Sequence, residues 1–378
     1  MTAPAMWTRR LPLILALATL PALTACSGGA DAPEPLSPAA LAVVDARPGA
    51  PRAPLARAID DLFIDPAAGE TRALLVYNRG RLVAERYGEG FGAQTRQLGW
   101  SMSKAVTGVM IGMLVADGRL RLDEPVPIPA WQRSGDPRGE ITLRHLLQMR
   151  AGLRHAEGAA QVYDADEVRM LFLDGRDDSA AYAEAQPLGS VPGTRFNYST
   201  ANAAILSDIA ARVLADSPDP ARRRTAVADY LANRLFKPIG LASMVAEYDA
   251  AGTLEGGAMI HATARDWGRF GEFLRNGGSV KGAQVVPRGW IAFMTAPSPR
   301  KPGYGAQLWL NRPQAEGGRI LFAGAPRDAF AAVGHLGQYV LVSPRQGVTI
   351  VRLGHSSEEA RPKVRAHLAE ILSLYPSR

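Results

Sequence analysis

The polarity pattern changes most abruptly between Leu98 and Ala116, where LGWSMSKAVTGVMIGMLVA carries a single charge, Lys104. A helix through this run is apolar nearly all round and belongs in a core. It is expected from about Ser101 to Asp117, with Gly118 ending it. Ahead of it, ALLVY (73–77) and LVAERY (82–87) read as two strands around a turn at Asn78, Arg79 and Gly80, a hairpin. From about Leu122 to Ala250 the pattern is mostly helical. Thr142 reads as the N-cap of LRHLLQM, a helix is expected over about 201–215, and ADYLANRLFKPIGL is stopped by Pro238 and Gly240. TARDWGRFGEFLRNGG then forms an amphipathic helix. Toward the C-terminus YGAQLWL, RILFAG, HLGQYVLVS and GVTIVRL read as strands, the last two a hairpin around Pro344 to Gly347, and a helix closes 357–373. Strands at both ends with helices between predict one sheet built from the two terminal segments, plus an inserted helical region at about 122–250. A cleft between the two is the expected place for a site.

The N-terminus follows a different pattern. Arg9 and Arg10 precede a 13-residue apolar run, Leu11 to Leu23, too short to span a bilayer comfortably. Residues 1–25 therefore read as a secretory signal. LTAC, ending at Cys26, resembles the lipobox of bacterial lipoproteins, in which the cysteine is lipidated after cleavage. Cys26 is the only cysteine of the 378 residues. That excludes an internal disulfide, cysteine catalysis within the domain and thiolate zinc sites. A lipid on Cys26 would anchor the protein to a membrane without a spanning helix. Ser27 resembles the outer-membrane sorting signal, so a periplasmic, outer-membrane location is expected. Residues 26–58, rich in Pro, Ala and Gly, read as a tether, leaving 59–378 as the folded domain. The formal charge is +7, but the arginines are spread along the chain, which points to a solvated surface and away from nucleic acid.

Chemistry enters at the apolar run. Ser101 and Lys104 stand three apart, so a helix puts hydroxyl and amine on one face. Burial lowers a lysine's pKa, and a serine beside a neutral amine is a nucleophile beside a base. Composition alone supplies an S-x-x-K match in about one such chain in four, so context has to carry the reading. Two further patches supply it. Asn197, Tyr198, Ser199 and Thr200 lie just before a helix, whose positive end, with Lys104, favours phenolate at Tyr198. Gly334, His335, Leu336, Gly337 and Gln338 sit in a strand-like run where glycines permit close backbone approach. There is no G-x-S-x-G elbow, H-E-x-x-H or P-loop, and the six histidines have no ligand spacing.

These patches, in this order, resemble the serine β-lactamase and penicillin-binding-protein superfamily, in its class C-like branch of β-lactamases, D-alanyl-D-alanine carboxypeptidases, esterases and 6-aminohexanoate-dimer hydrolase. That branch carries S-x-x-K (here Ser101 and Lys104), Y-x-N (here Tyr198) and K-T-G or H-x-G (here His335, Leu336 and Gly337). ITLRHLLQMRAGL, PGTRFNYST and TARDWGRFGEFLRNGG are also similar to family stretches. The resemblance implies an α+β sandwich: an antiparallel sheet flanked by helices with an inserted, mostly helical subdomain. It also implies a serine hydrolase with neither cofactor nor metal. Ser101 would attack a carbonyl, Lys104 would take its proton, and Tyr198 would relay it. The backbone N–H groups of Ser101 and Gln338 would hold the oxyanion, with His335, Gly337 and Thr200 facing the substrate. Thr200 stands where many members have Asn, and His335 replaces a lysine that binds the substrate carboxylate. Both departures tilt the expectation toward an ester or linear amide. The alternatives are a carboxypeptidase or β-lactamase on peptidoglycan-like substrates, and a non-catalytic envelope-binding lipoprotein. Oligomeric state is left open.

Overall fold

A computed structural model describes residues 36–314, 318 and 320–377. The expected signal segment, Cys26 and the first part of the tether lie outside the described residues. From Leu36 onward the chain forms one compact unit.

The organising element is a six-stranded antiparallel sheet. Its strands are β1 (Glu70–Asn78), β2 (Arg81–Tyr87), β3 (Trp309–Leu310), β4 (Phe330–Gly334), β5 (Gln338–Ser343) and β6 (Val348–His355), in the order β2-β1-β6-β5-β4-β3. N- and C-terminal segments meet at its centre, where β1 pairs antiparallel with β6 and Val76 faces Ile350. Alternation divides the side chains. Leu74, Val76, Leu341 and Ile350 face one apolar layer, and Ala73, Leu75, Val340 and Val351 face the other.

Five helices frame the sheet and the site: α1 (Arg52–Ile64), α2 (Ser103–Ala116), α3 (Thr200–Ala215), α4 (Ala264–Arg275) and α5 (Arg361–Ser373). α1 and α5 cover the first face with Leu55, Ile59, Leu62, Val364 and Leu368. α2 and α4 cover the second, and the helical insertion continues that layer through α3. α2 is buried from Ser103 to Leu114, as an all-round apolar helix must be. Gly108 and Gly112 lie on this helix at four-residue spacing. They meet side chains: a Cβ on Gly112 would lie 2.2 Å from Trp290 Nε1, and that indole donates to Gly108 O at 2.9 Å.

Expectations at both ends of the domain are corrected. The tether does not reach residue 58. Pro38–Ala42 is helical, Val44 bridges to Ala84, and α1 starts at Arg52. The spacing of Leu55, Ile59 and Leu62 gives α1 an apolar stripe that the Pro- and Ala-rich composition obscures. At the C-terminal end, YGAQLWL yields only the two-residue β3, and residues 320–324 form a loop pinned where Phe322 N donates to Asn311 Oδ1 at 2.8 Å. The closing helix begins at Arg361. Thr142 does cap Leu143–Leu147, and Gly240 ends the helix series that starts at Pro220.

Candidate active site

Ser101 sits in a single 3-10 turn, Trp100–Met102, that leads into α2. Trp100, directly before it, has φ 49°, a left-handed conformation unusual for a bulky residue. Such strain is held only where the surroundings over-determine it. Here the Trp100 indole meets the His335 ring edge-on at 5.3 Å. Gly334 carries β4 against the same turn, since a Cβ there would lie 2.3 Å from Gly99 O. The nucleophile turn and the sheet edge therefore touch through backbone.

Lys104, one helical turn on, is 1% exposed. Its amine donates to Ser101 Oγ at 2.9 Å, Thr200 Oγ1 at 2.8 Å and Gly257 O at 3.0 Å. All three of its protons are used, so the geometry is that of an ammonium. Gly257 reaches it because neighbouring Gly256 and Gly257 press on α2 and α3: Cβ atoms there would lie 2.3 Å from Thr107 Oγ1 and 2.7 Å from Thr200 Cγ2. Tyr198 covers the amine, its ring centroid 4.9 Å from Nζ, and packs on Trp309 at 5.3 Å and Tyr304 at 5.9 Å. Ser199 caps α3 through Asn202 N and fixes the turn that presents Tyr198.

Two carboxylates complete the site, and sequence reasoning missed both. Glu157 Oε1 lies 3.7 Å from Lys104 Nζ. Its carboxylate accepts from the backbone N–H of Thr200 at 2.7 Å and from the Thr200 hydroxyl at 2.5 Å, at the N-terminus of α3. His155 Nε2 lies 2.8 Å from its other oxygen, Oε2. Glu167 Oε1 is 3.3 Å from the Thr200 hydroxyl. The chain offers no local motif for these glutamates, which stand in a segment of irregular pattern. The glycine pair Gly256-Gly257 was the one legible signal of close approach at this place.

The charges reverse two expectations. Burial pushes Lys104 down, but the Tyr198 oxygen and the carboxylates of Glu157 and Glu167 outweigh it and hold the amine above its ordinary value. Burial also dominates at Tyr198 and pushes the phenol up despite Lys104, so phenolate is not favoured. Burial acts on Glu157 as well, but Lys104 and the His155 hydrogen bond override it and hold the carboxyl down. Glu167, buried beside Glu157, is held up. His335 is lowered by burial and by Arg361.

Ser101, Tyr198, Glu157, Glu167, Trp309 and His335 line one cavity of about 630 Å³. Its outer wall is apolar, with Val162, Val168 and Phe172, and Glu358 and Arg361 stand in its lining as well. Gln338, Gly337 and the buried Thr200 are not in that lining, which corrects their expected place. The Gln338 amide exchanges two hydrogen bonds with the Gly354 backbone, and Gly337 O accepts from the buried Arg352 at 2.8 Å. The sheet segment that faces the cavity is Val333 to His335. A larger hollow near Pro302, Arg312 and Arg345 holds no nucleophile–base pair. Among the described residues no cluster of His, Cys, Asp and Glu could hold a metal ion.

Comparison with known proteins gives the same picture. The family model Beta-lactamase matches residues 64–373. A 6-aminohexanoate-dimer hydrolase of Paenarthrobacter ureafaciens is 27% identical over 291 residues, 75% of this chain and 72% of the relative. A Bacillus anthracis structure assigned as a 6-aminohexanoate-dimer hydrolase superposes with TM-score 0.65 at 22% identity, covering 84% of this chain and 83% of that one. A family VIII carboxylesterase gives TM-score 0.62 at 16% identity, covering 86% and 98%.

Proposed function

The chain belongs to the β-lactamase family, and from the site that this fold carries we propose that it cleaves a carboxylic ester or linear amide through an acyl-serine intermediate formed on Ser101. The observation that carries this reading is the 2.9 Å contact between Lys104 Nζ and Ser101 Oγ at the floor of an open cavity. Ser101 Oγ attacks the substrate carbonyl, and its proton passes to Lys104. Tyr198, kept as a neutral phenol by burial, is suited to protonate the leaving group. The developing oxyanion would sit between the Ser101 N–H and the Gly334–His335 backbone, which takes over the role expected of Gln338. Water then attacks the ester, with the same groups running in reverse.

The departure at His335 supports ester or amide over β-lactam. Its imidazole is lowered, so it gives no fixed positive charge for a substrate carboxylate. Arg361 in the cavity lining favours retaining a second reading, a carboxylate-bearing peptide or β-lactam substrate. It pairs with Glu358 at 3.0 Å, and that carboxylate belongs to a side chain 84% exposed. Labelling with a fluorophosphonate followed by mass measurement tests the nucleophile: the wild type gains one adduct and Ser101→Ala gains none. Equal reaction of the two proteins would refute Ser101. Nitrophenyl butyrate beside a chromogenic cephalosporin separates the substrate readings, and faster turnover of the ester is expected.

We also propose, on the sequence of residues 1–26 alone, export and a lipid anchor on Cys26 in the bacterial envelope. The LTAC motif supports it, and incorporation of radiolabelled palmitate lost in Cys26→Ala would test it.

A further inference from the structure

We propose that Thr200 and Glu157 form a proton relay behind Lys104, which lets an amine held as ammonium serve as the base for Ser101. This inference rests on the serine-hydrolase reading of the site. Its starting point is a conflict within that reading. An amine that donates all three protons has no lone pair to take the serine proton. The base must first lose a proton, and burial at 1% exposure leaves no direct path to water.

The path on offer is continuous. Lys104 Nζ donates to Thr200 Oγ1 at 2.8 Å, and that hydroxyl donates onward to Glu157 Oε1 at 2.5 Å. One N–H proton moves to Thr200 Oγ1 as the hydroxyl proton moves to Glu157 Oε1. Ammonium and carboxylate become amine and carboxylic acid, a minor state of the pair, since each group holds the other in its charged form. Rotation about the lysine Cε–Nζ bond then turns the lone pair toward Ser101 Oγ, 2.9 Å away. Glu157 Oε1–H can donate to Thr200 Oγ1, and the threonine proton can turn to Glu167 Oε1 at 3.3 Å. As the bond from Ser101 Oγ to the carbonyl carbon forms, the Oγ–H proton passes to Nζ. As the bond to the leaving group breaks, Tyr198 gives its proton to that group and regains one from Lys104. Glu157 returns its proton through Thr200 when the site resets.

The placement of Glu157 fits this role. The Thr200 N–H and His155 Nε2 hold Oε2, which aims Oε1 at the hydroxyl. The groups facing the amine are Ser101, Tyr198, Thr200, Glu157 and Glu167, with His155 behind Glu157. His335, Glu358 and Arg361 line the cavity beyond them. Thr200 is buried behind the amine, and Glu157 reaches Lys104 through the Thr200 hydroxyl, so both are positioning residues that act through Lys104.

The test is steady-state hydrolysis of nitrophenyl butyrate by the full chain across pH. Thr200→Val keeps the shape and removes the hydroxyl, and kcat/KM is expected to fall by roughly 10²-fold, with the loss in kcat. Its acid limb should move to higher pH, because the amine must then shed its proton to bulk solvent. Thr200→Ser, which keeps the hydroxyl, should stay close to wild type in rate and profile. Glu157→Gln should fall like Thr200→Val, and the double variant no further, since both break one path. If Thr200→Val does not fold, Thr200→Ser against Glu157→Gln carries the comparison. Wild-type rate and pH profile in Thr200→Val or Glu157→Gln, or additive losses in the double variant, overturn the relay alone, provided the wild type is labelled at Ser101. Absence of that label instead removes the serine-hydrolase reading beneath it.

Discussion

The Lys104 amine and the Glu157 carboxylate lie 3.7 Å apart, and the Thr200 hydroxyl bridges them by two shorter contacts. This pair sets the charge of the site. Lys104 is 1% exposed and the Glu157 side chain 23%. An isolated amine at that depth would be neutral, and the paired one is not. Removing one partner of a fully buried pair typically costs about 3–5 kcal/mol, because the other charge is left without compensation. Glu157→Ala is therefore expected to lose stability at or below the low end of that range. Adding Lys104→Met should recover part of the loss, since the stranded charge goes with it. Urea unfolding of the single and double variants measures both. A double variant less stable than Glu157→Ala would show that the pair does not act as one unit.

Lys104→Arg separates charge from basicity. Arginine keeps the positive charge but cannot accept a proton near neutral pH. Turnover of nitrophenyl butyrate should drop by about 10²–10⁴-fold, the range for loss of a general base. Retained turnover would sink the proton path from Ser101 through residue 104.

The N-terminal boundary gives a prediction about folding. Leu36 to Ile64 bury Val44, Leu55, Ala56, Ala58, Ile59 and Leu62 on the outer face of the sheet. A chain starting at Leu36 keeps this layer whole and serves as the reference. One starting at Asp60 leaves α5 and the sheet without their partner. Each Leu or Ile removed from such a core forfeits about 1.5–3 kcal/mol. Thermal melts of the two truncations check this, and equal Tm values would return 36–59 to the role of a tether.

Much of this architecture was legible, and the misses share a cause. The sheet of terminal strands could be read because alternation is a local signal, and α2 because 19 residues with one charge admit few other structures. Ser101, Lys104 and Tyr198 could be read as motifs, and the fold brings them together. Glu157 and Glu167 could not, because their meaning comes from the folding that brings a loop at Glu157 and the short helix Asp166–Phe172 to Lys104. For the same reason the protonation states of Lys104 and Tyr198 were read in reverse: burial is visible in a sequence, but the neighbouring carboxylates are not. Gln338 was misplaced by one turn. Leu336 takes φ 58°, a left-handed conformation that leucine rarely adopts. That residue ends β4 at Gly334 and puts His335, rather than Gln338, in the cavity lining.

The close approach of β4 to the nucleophile turn can be tested at Gly334. Its φ of −116° is open to any residue, so the constraint is space. A methyl group there meets Gly99 O, a backbone atom that cannot swing away. Gly334→Ala should push the sheet edge off Ser101 and misplace one oxyanion donor. Loss of one such donor costs about 2.7–4 kcal/mol of transition-state stabilisation, or roughly 10²–10³ in kcat. The KM for nitrophenyl butyrate should change far less. A variant with wild-type kcat would show that this strand supplies no donor.

Stability should also depend on pH through a buried carboxyl outside the cavity lining, Glu255. Glu255 is 8% exposed, and burial, reinforced by Asp249, pushes its pKa from 4.5 to about 8. The folded state thus holds a proton that the unfolded chain has released. Its contribution to stability is complete below about pH 4.5 and is lost as pH rises through 8. Between those limits one such group changes stability by about 1.4 kcal/mol per pH unit. Glu184, also raised to about 8 by burial and Asp208, adds to the same slope. Glu255→Gln mimics the protonated acid at every pH. It should match the wild type in urea unfolding at pH 5 and exceed it at pH 8.5, with Glu184 keeping some slope in both proteins. Parallel stability curves for the two would mean that Glu255 ionises as freely in the fold as in the unfolded chain, and that burial at this place does not hold its proton.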